Sequence, residues 1–155
     1  MSSGPDLKWQ WCRLGELSAA QVYAVLAARV EIFVVEQNCA YQDLDGLDGD
    51  ADAEHLIAWS GADVAGYLRV LRPGARFADP SIGRIITTRP FRGSGLGREL
   101  VAKGLERARL RYPGQPVRIS AQQYLEKFYR DFGFATVSEP YLEDGIPHVE
   151  MLLSG

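Results

Sequence analysis

Seven consecutive residues, Arg92-Gly93-Ser94-Gly95-Leu96-Gly97-Arg98, have the composition of an anion-binding turn. They follow an apolar run, Ile82 to Thr88, and precede a helical pattern, Glu99 to Arg111. Glycines tolerate positive φ and let backbone amides come close to an anion. The first turn of a helix adds unpaired N–H groups and the positive end of its dipole. Such a turn suits the pyrophosphate of a nucleotide-like ligand. Two common readings fail on spacing. A P-loop needs Gly-x-x-x-x-Gly-Lys-Ser/Thr, and here Gly97 is followed by Arg98 and Glu99. A dinucleotide fingerprint needs Gly-x-Gly-x-x-Gly. Counted from Gly93 or from Gly95, its third glycine falls on Arg98 or Leu100. The spacing that is met is Arg-x-x-Gly-x-Gly, at Arg92, Gly95 and Gly97.

The 155 residues, 46% of them apolar, are enough for one domain with a sizeable core. We expect a flexible leader over residues 1–6 and a single domain over 7–155. No apolar stretch is long enough to span a bilayer, and the N-terminal residues lack the pattern of a secretory signal. Cys12 and Cys39 have no metal-ligand spacing and read as reduced thiols, so a cytoplasmic protein is expected. The net charge of −3 hides an asymmetry. Residues 31–54 carry eight acids and no Lys or Arg; residues 84–111 carry eight bases against two acids. The basic segment lacks interleaved aromatics, which argues against nucleic acid. Asp48, Asp50 and Asp52 start like a calcium loop, but Ala53 and Trp59 stand where Gly and Glu are required, so no metal site is expected.

Leu7 to Cys12 alternates as a strand does. Ser18 to Gln21 has the spacing of a capping box, and a helix follows with Val22, Leu26, Arg29/Val30 and Phe33 on one face. It fades near residues 36–38 into an acidic loop, Cys39 to Ala53. Strands are expected at 55–59, 64–71 and 82–88, then the glycine turn and a helix to Arg111. A strand at 117–121 and a helix at 124–132, closed by Gly133, come next. Strands at 134–137 and 148–152 end the chain, joined by a loop containing Asp144-Gly145-Ile146-Pro147. The order β-α-β-β-β-α-β-α-β-β predicts an α/β protein of the mixed α+β kind, not a doubly wound sheet.

Arg-x-x-Gly-x-Gly between this strand and this helix resembles one signature of the GNAT N-acetyltransferase superfamily. The run Phe128-Tyr129-Arg130-Asp131-Phe132-Gly133-Phe134 resembles a second, a Tyr four residues before a Gly-Phe pair. The runs 29–38, 41–46 and 144–148 are similar to the ElaA-like branch, and the resemblance covers about residues 7–153. It implies a mostly antiparallel mixed sheet flanked by helices and an acetyl-CoA donor without a metal. The acceptor would be a primary amine, small and cationic, or a lysine side chain, acetylated by direct transfer. The resemblance allows a homodimer. A non-catalytic acyl-CoA-binding or sensor module stays open as the alternative.

Residue by residue, the resemblance gives the amides of Gly93, Ser94, Gly95, Leu96, Gly97 and Arg98, with Arg92, to the pyrophosphate. It gives the backbone of Ile85, Ile86 and Thr87 to the pantetheine and the thioester. Gln122 stands where many relatives have an Asn that orients the donor. Tyr129 would donate to the departing CoA thiolate as its charge develops, although an apolar helix face explains the same residue as packing. A lysine-like amine with pKa about 10.4 needs roughly 4.6 kcal/mol to be neutral at pH 7, so a route for its proton is expected. Glu36, Glu54, His55 and His148 are the candidate bases. Neither cysteine has a visible activating neighbour for an acyl-enzyme. The acidic segment would border the acceptor cleft and attract a cation.

Overall fold

The structure is a computed structural model and describes residues 6–155. The leader expected over residues 1–6 falls almost wholly outside the described residues. Strand β1 (Lys8–Cys12) leads to helix α1 (Ala19–Val30). The predicted capping box forms: Ser18 Oγ accepts from the Gln21 N–H at 3.1 Å, and Gln21 Oε1 accepts from the Ser18 N–H at 2.9 Å. α1 widens into one π-helical stretch, Glu31–Glu36. Then come the acidic loop, β2 (Glu54–Ser60), β3 (Asp63–Leu71), β4 (Ser81–Thr87) and α2 (Leu96–Arg111). The chain ends with β5 (Val117–Gln122), α3 (Glu126–Arg130), β6 (Ala135–Thr136), β7 (Tyr141–Glu143) and β8 (Ile146–Leu153).

The strands form two antiparallel sheets. The first has the order β1-β2-β3-β4. In the second, β8 pairs with β5 along one edge and with β7 and then β6 along the other. α1 packs on one face of the first sheet and α2 on the opposite face. Ile57 and Trp59 accordingly join Val25 and Ala28 of α1, while Leu56 and Ala58 join Leu100, Val101 and Leu105 of α2. Burial on both faces is why β2 and β3 read as continuous apolar runs rather than alternating ones. Gly66 lets α2 sit close: a Cβ there would lie 2.9 Å from Leu100 Cδ1 and 3.1 Å from Leu96 Cδ2. That approach brings the N-terminus of α2 to the end of β4. No helix among the described residues is long and apolar enough to cross a membrane.

The mixed α/β architecture agrees with the sequence reading, with two differences. β7 lies where a loop was expected. Asp144 and Gly145, at φ 52 and 78, close a two-residue hairpin between β7 and β8. Secondly, β4 and β5 run side by side but do not form a ladder. The Arg118 N–H donates to Pro80 O at 3.0 Å near the start of both strands. Beyond that point they diverge and leave an opening lined by both.

Glu54, one expected base, is a structural residue. Its position on β2 turns it towards α2, where one oxygen accepts from Arg107 Nη2 at 2.6 Å and the other from Arg111 Nη1 at 2.5 Å. Its side chain is 4% exposed and does not line the opening. Glu54→Gln leaves two guanidiniums without their carboxylate. Because the arginines are 31% exposed, the cost should fall below that of a fully buried pair, at about 1–3 kcal/mol. Differential scanning calorimetry should show a melting temperature lower by roughly 3–10 °C, with the turnover per folded molecule unchanged.

Candidate functional site

The glycine turn leaves backbone amides without partners at the start of α2. Gly93 and Gly95 have φ of 79 and 83, and Gly95 is the N-cap of α2. The first helical hydrogen bond runs from the Glu99 N–H to Gly95 O at 3.2 Å. The amides of Leu96, Gly97 and Arg98 therefore have no carbonyl partner. Nothing lies within 4 Å of a Cβ built on Gly93 or Gly95, so the space in front is open. Side chains at the turn are otherwise engaged. Leu96 is core, Ser94 Oγ donates to Phe91 O at 2.7 Å, and Arg98 pairs with Asp131 at 3.1 Å while lying over Phe128 and Phe132. Arg92 donates from Nε to Thr87 O at 3.1 Å and from Nη2 to Glu36 Oε1 at 2.7 Å.

From Arg92 a groove of about 400 Å³ runs past Thr87, Ile86 and Ile85, with Gln122, Tyr124, Leu125 and Glu36 on its other side. It shares Phe33, Gln37, Ile85, Gln122 and Leu125 with a second cavity of about 110 Å³. The two are therefore neighbouring compartments of one cleft. Gln122 Nε2 donates across it to Gln37 Oε1 at 3.3 Å.

Tyr129 and His148 line the second compartment. The Tyr129 ring is held edge-on by Phe128 and Phe134, with centroids at 5.2 and 5.9 Å. Its hydroxyl has no hydrogen-bond partner among the described residues. Burial, helped by Tyr124, pushes the phenol well above its ordinary value, so it keeps its proton. His148 lies 2.7 Å from Ile146 O through Nδ1. A carbonyl only accepts, so Nδ1 carries the hydrogen and the neutral ring presents a lone pair at Nε2. That nitrogen is 3.4 Å from Glu143 Oε2, and the ring stacks on Tyr141. A proton arriving at Nε2 would meet a carboxylate. Glu143 is fixed from its other oxygen by Arg76 Nη2 at 3.1 Å.

His55 does not reach the cleft. It is 1% exposed, with Nε2 3.1 Å from Asp48 O and Nδ1 2.5 Å from the Tyr67 hydroxyl. The carbonyl fixes the hydrogen on Nε2, so Tyr67 donates to Nδ1 and both ring nitrogens are engaged. Burial, with the charges of Arg69 and Arg29, pushes His55 down and keeps it neutral. It packs on the α1 side of β2, the face opposite Glu54. Neither cysteine has a basic hydrogen-bond partner among the described residues. Burial and then Glu16 push Cys12 up to about 11, and Cys39, though it lines the cavity, donates its S–H to Asp144 O at 3.2 Å.

The acidic segment is not an open negative surface. Asp43, Asp45 and Asp48 are tied to Arg29, Arg69 and Arg84; Asp50 to Arg72; Asp52 to Arg13 and Arg111; Glu36 to Arg92 and Arg89. With Glu54 paired as well, Glu31 alone of the eight acids has no ion pair among the described residues. The expected pull on a cation therefore does not come from this loop. Its acids hold it to the protein. Burial opposes ionisation of Asp45, but the hydrogen bonds and charge of Arg69, with the Leu47 N–H and Arg84, outweigh it and bring its pKa down to about 2. A depressed carboxylate stabilises the fold above its unfolded value of about 3.9 and loses that contribution as pH falls through the folded value. Because Asp45 is partly exposed, solvent screening discounts that contribution, and Asp45→Asn should cost about 1–2 kcal/mol at neutral pH. In urea unfolding, the gap to wild type should close as pH is lowered from 4 to about 2.

The sequence and the fold both have relatives among known proteins. Residues 18–154 match the acetyltransferase (GNAT) domain. The chain belongs to the GNAT acetyltransferase family. It is 42% identical over 145 residues to Protein ElaA of Escherichia coli strain K12, covering 94% of this chain and 95% of that protein. The crystal structure of Escherichia coli ElaA superposes with a TM-score of 0.89 at 40% identity, over 96% of this chain and 100% of that one. An acyl-CoA N-acyltransferase from Pseudomonas aeruginosa superposes with 0.91 at 40% identity, over the same 96% and 100%. These relatives place the chain in the ElaA-like branch of the GNAT family.

Of the residues singled out in the sequence, Arg92, Ile85, Ile86, Thr87, Gln122, Tyr129, His148 and Glu36 meet along the cleft; Glu54 and His55 do not. Glu36 sits at the turn end, held by Arg92. Sequence reasoning missed Gln37, Tyr41, Arg84 and Glu143 as lining residues. Gln37 and Tyr41 lie inside the runs that carry the ElaA-like resemblance, and Glu143 directly precedes the Asp-Gly turn, so each had a signal. Arg84 had none.

Proposed function

We propose that this GNAT protein transfers an acetyl group from acetyl-CoA directly to a primary amine. One observation carries the reading. A continuous cleft runs from Arg92, at the head of the glycine turn, to a compartment lined by Tyr129, whose hydroxyl has no hydrogen-bond partner among the described residues, and by His148, whose Nε2 faces the Glu143 carboxylate at 3.4 Å. The residues present fit the donor. The amides of Gly93 to Arg98 would take the pyrophosphate, and β4 at Ile85 to Thr87 would lie along the pantetheine. The amine nitrogen attacks the thioester carbonyl carbon, and the carbon–sulfur bond breaks. The ammonium has first given one proton to His148 Nε2; as the amide forms, Tyr129 donates to the leaving thiolate and is reprotonated by the second proton lost from the amine nitrogen. His148 is the base we favour, because Glu36 is already bound to Arg92.

A small cationic amine, or a lysine side chain, remains the acceptor class. Its attraction now rests on Asp144, which lines the compartment and has no ion pair among the described residues, rather than on the acidic loop or on Glu143, which Arg76 holds. A free-thiol assay with acetyl-CoA and a panel of polyamines, lysine derivatives and neutral amines tests the reading. Release of CoA that depends on an amine, fastest with cationic amines, is expected. If acetyl-CoA protects the protein against thermal unfolding but no amine releases CoA, the chain is a donor-binding or sensor module instead.

A further inference from the structure

A β-bulge in β4 shapes one wall of the second compartment. Tyr67 pairs with Ile86 and Arg69 with Gly83, so Arg84 and Ile85 together face Leu68. Arg84 has φ +53. Its neighbour Gly83 could take a positive φ without steric cost but keeps an ordinary one. The other non-glycine residues with positive φ among those described, Asn38 and Asp144, stand in turns. Arg84 alone adopts it within a strand. A side chain stays in such a conformation when its surroundings over-determine it.

Those surroundings are the acidic loop. Arg84 Nη2 donates to Asp43 O at 3.1 Å and to Asp45 Oδ2 at 3.2 Å. Nε is 2.9 Å from Asp43 Oδ1 but out of line for a hydrogen bond, so that contact is ionic. The guanidinium also lies 5.8 Å from the centroid of the Tyr41 ring. Asp43 is shared with Arg29, Asp45 with Arg69, and Asp48 bridges those two arginines. The loop is thus fastened to α1 by Arg29, to β3 by Arg69 and to β4 by Arg84. Of the three arginines, Arg84 is the one lining the compartment, and Ile85 beside it lines both compartments.

We propose that Arg84 is a positioning residue that ties the acceptor-side loop, through Asp43 and Asp45, to the bulge carrying Ile85. The wall facing the amine and the strand presenting the thioester then keep one fixed spacing. The role in catalysis rests on the acyl-transfer reading above; the mechanical tie does not.

Arg84→Gly separates the tie from the bulge, since glycine keeps the backbone freedom and loses the guanidinium. In the full chain, acetyl-CoA affinity by calorimetry should stay within about threefold of wild type, because the glycine turn is untouched. kcat should fall about 30-fold or more, as expected when reacting groups drift by a fraction of an ångström, and KM for the amine should rise. Arg84→Lys should recover part of kcat, since a lysine keeps the charge without the planar fork. The loss of kcat caused by Asp45→Asn should be smaller in the Arg84→Gly background than in wild type, because the Asp45–Arg84 contact is already gone there and only the pairing with Arg69 is left to lose. Hydrogen exchange without ligand should quicken together in residues 41–48 and 83–86. Wild-type kcat in Arg84→Gly, or a loss of donor affinity that matches the loss of kcat, overturns the proposal. If the wild-type chain acetylates no amine, the proposed function fails and exchange still decides the tie: joint quickening upholds it, and unchanged or unlinked exchange overturns it.

Discussion

Tyr129→Phe should lower kcat by roughly 10²–10³-fold, within the range of a lost general acid. KM for acetyl-CoA and the melting temperature should hardly move. The change removes one oxygen from a ring that Phe128 and Phe134 hold edge-on, and phenylalanine keeps both contacts. The hydroxyl has no partner among the described residues, so its loss leaves no buried group unsatisfied. What disappears is a donor aimed into the compartment. Because burial keeps the phenol protonated, the defect should persist across the neutral pH range. Steady-state rates at several pH values check this, and an unchanged kcat throughout would remove Tyr129 from the chemistry.

His148→Gln should be the next most damaging change, by about 10²-fold in kcat/KM near neutral pH, in line with loss of a general base. The defect should shrink in alkaline buffer. The free-amine fraction of a lysine-like acceptor grows about tenfold per pH unit below its pKa near 10.4. A variant lacking the base gains from that growth after the wild type has levelled off. Glu143→Gln should give a milder version, since it leaves the imidazole in place and removes the carboxylate 3.4 Å from Nε2. A pH–rate profile parallel to wild type would mean that the proton leaves by another path.

The glycine turn ahead of α2 and the place of Tyr129 beside the cleft were legible because their signals are local. An arginine and two glycines at fixed spacing between a strand and a helix need no distant partner to be read. The four candidate bases were a different matter. Glu54 and His55 are neighbours on one strand and point to opposite faces, and which face meets the cleft depends on what packs there. The acidic loop misled for a related reason. Its charges stand together in sequence, but the arginines that neutralise them come from α1, β3, β4 and α2 and, as Arg13 and Arg72, from just after β1 and β3. Counting charge by segment cannot see that pairing. β7 escaped because it is three residues long and prolines stand before it and after its turn, although Asp144-Gly145 is a strong hairpin signal. The failure of β4 and β5 to pair has no mark in either strand, since both have ordinary strand sequences.

That parting of β4 and β5 has a kinetic meaning. It leaves the cleft with two neighbouring compartments, one reaching Arg92 ahead of the glycine turn and one lined by Glu143, Asp144 and Ile146 of the β7–β8 hairpin. In the proposed reaction the donor fills the first and the amine comes through the second, so neither must leave for the other to arrive. The one thiol lining the cleft among the described residues, Cys39, is turned to Asp144 O, so the proposed reaction stores no acyl group between visits. Donor and acceptor would have to be present at once, and the two products could depart by separate exits.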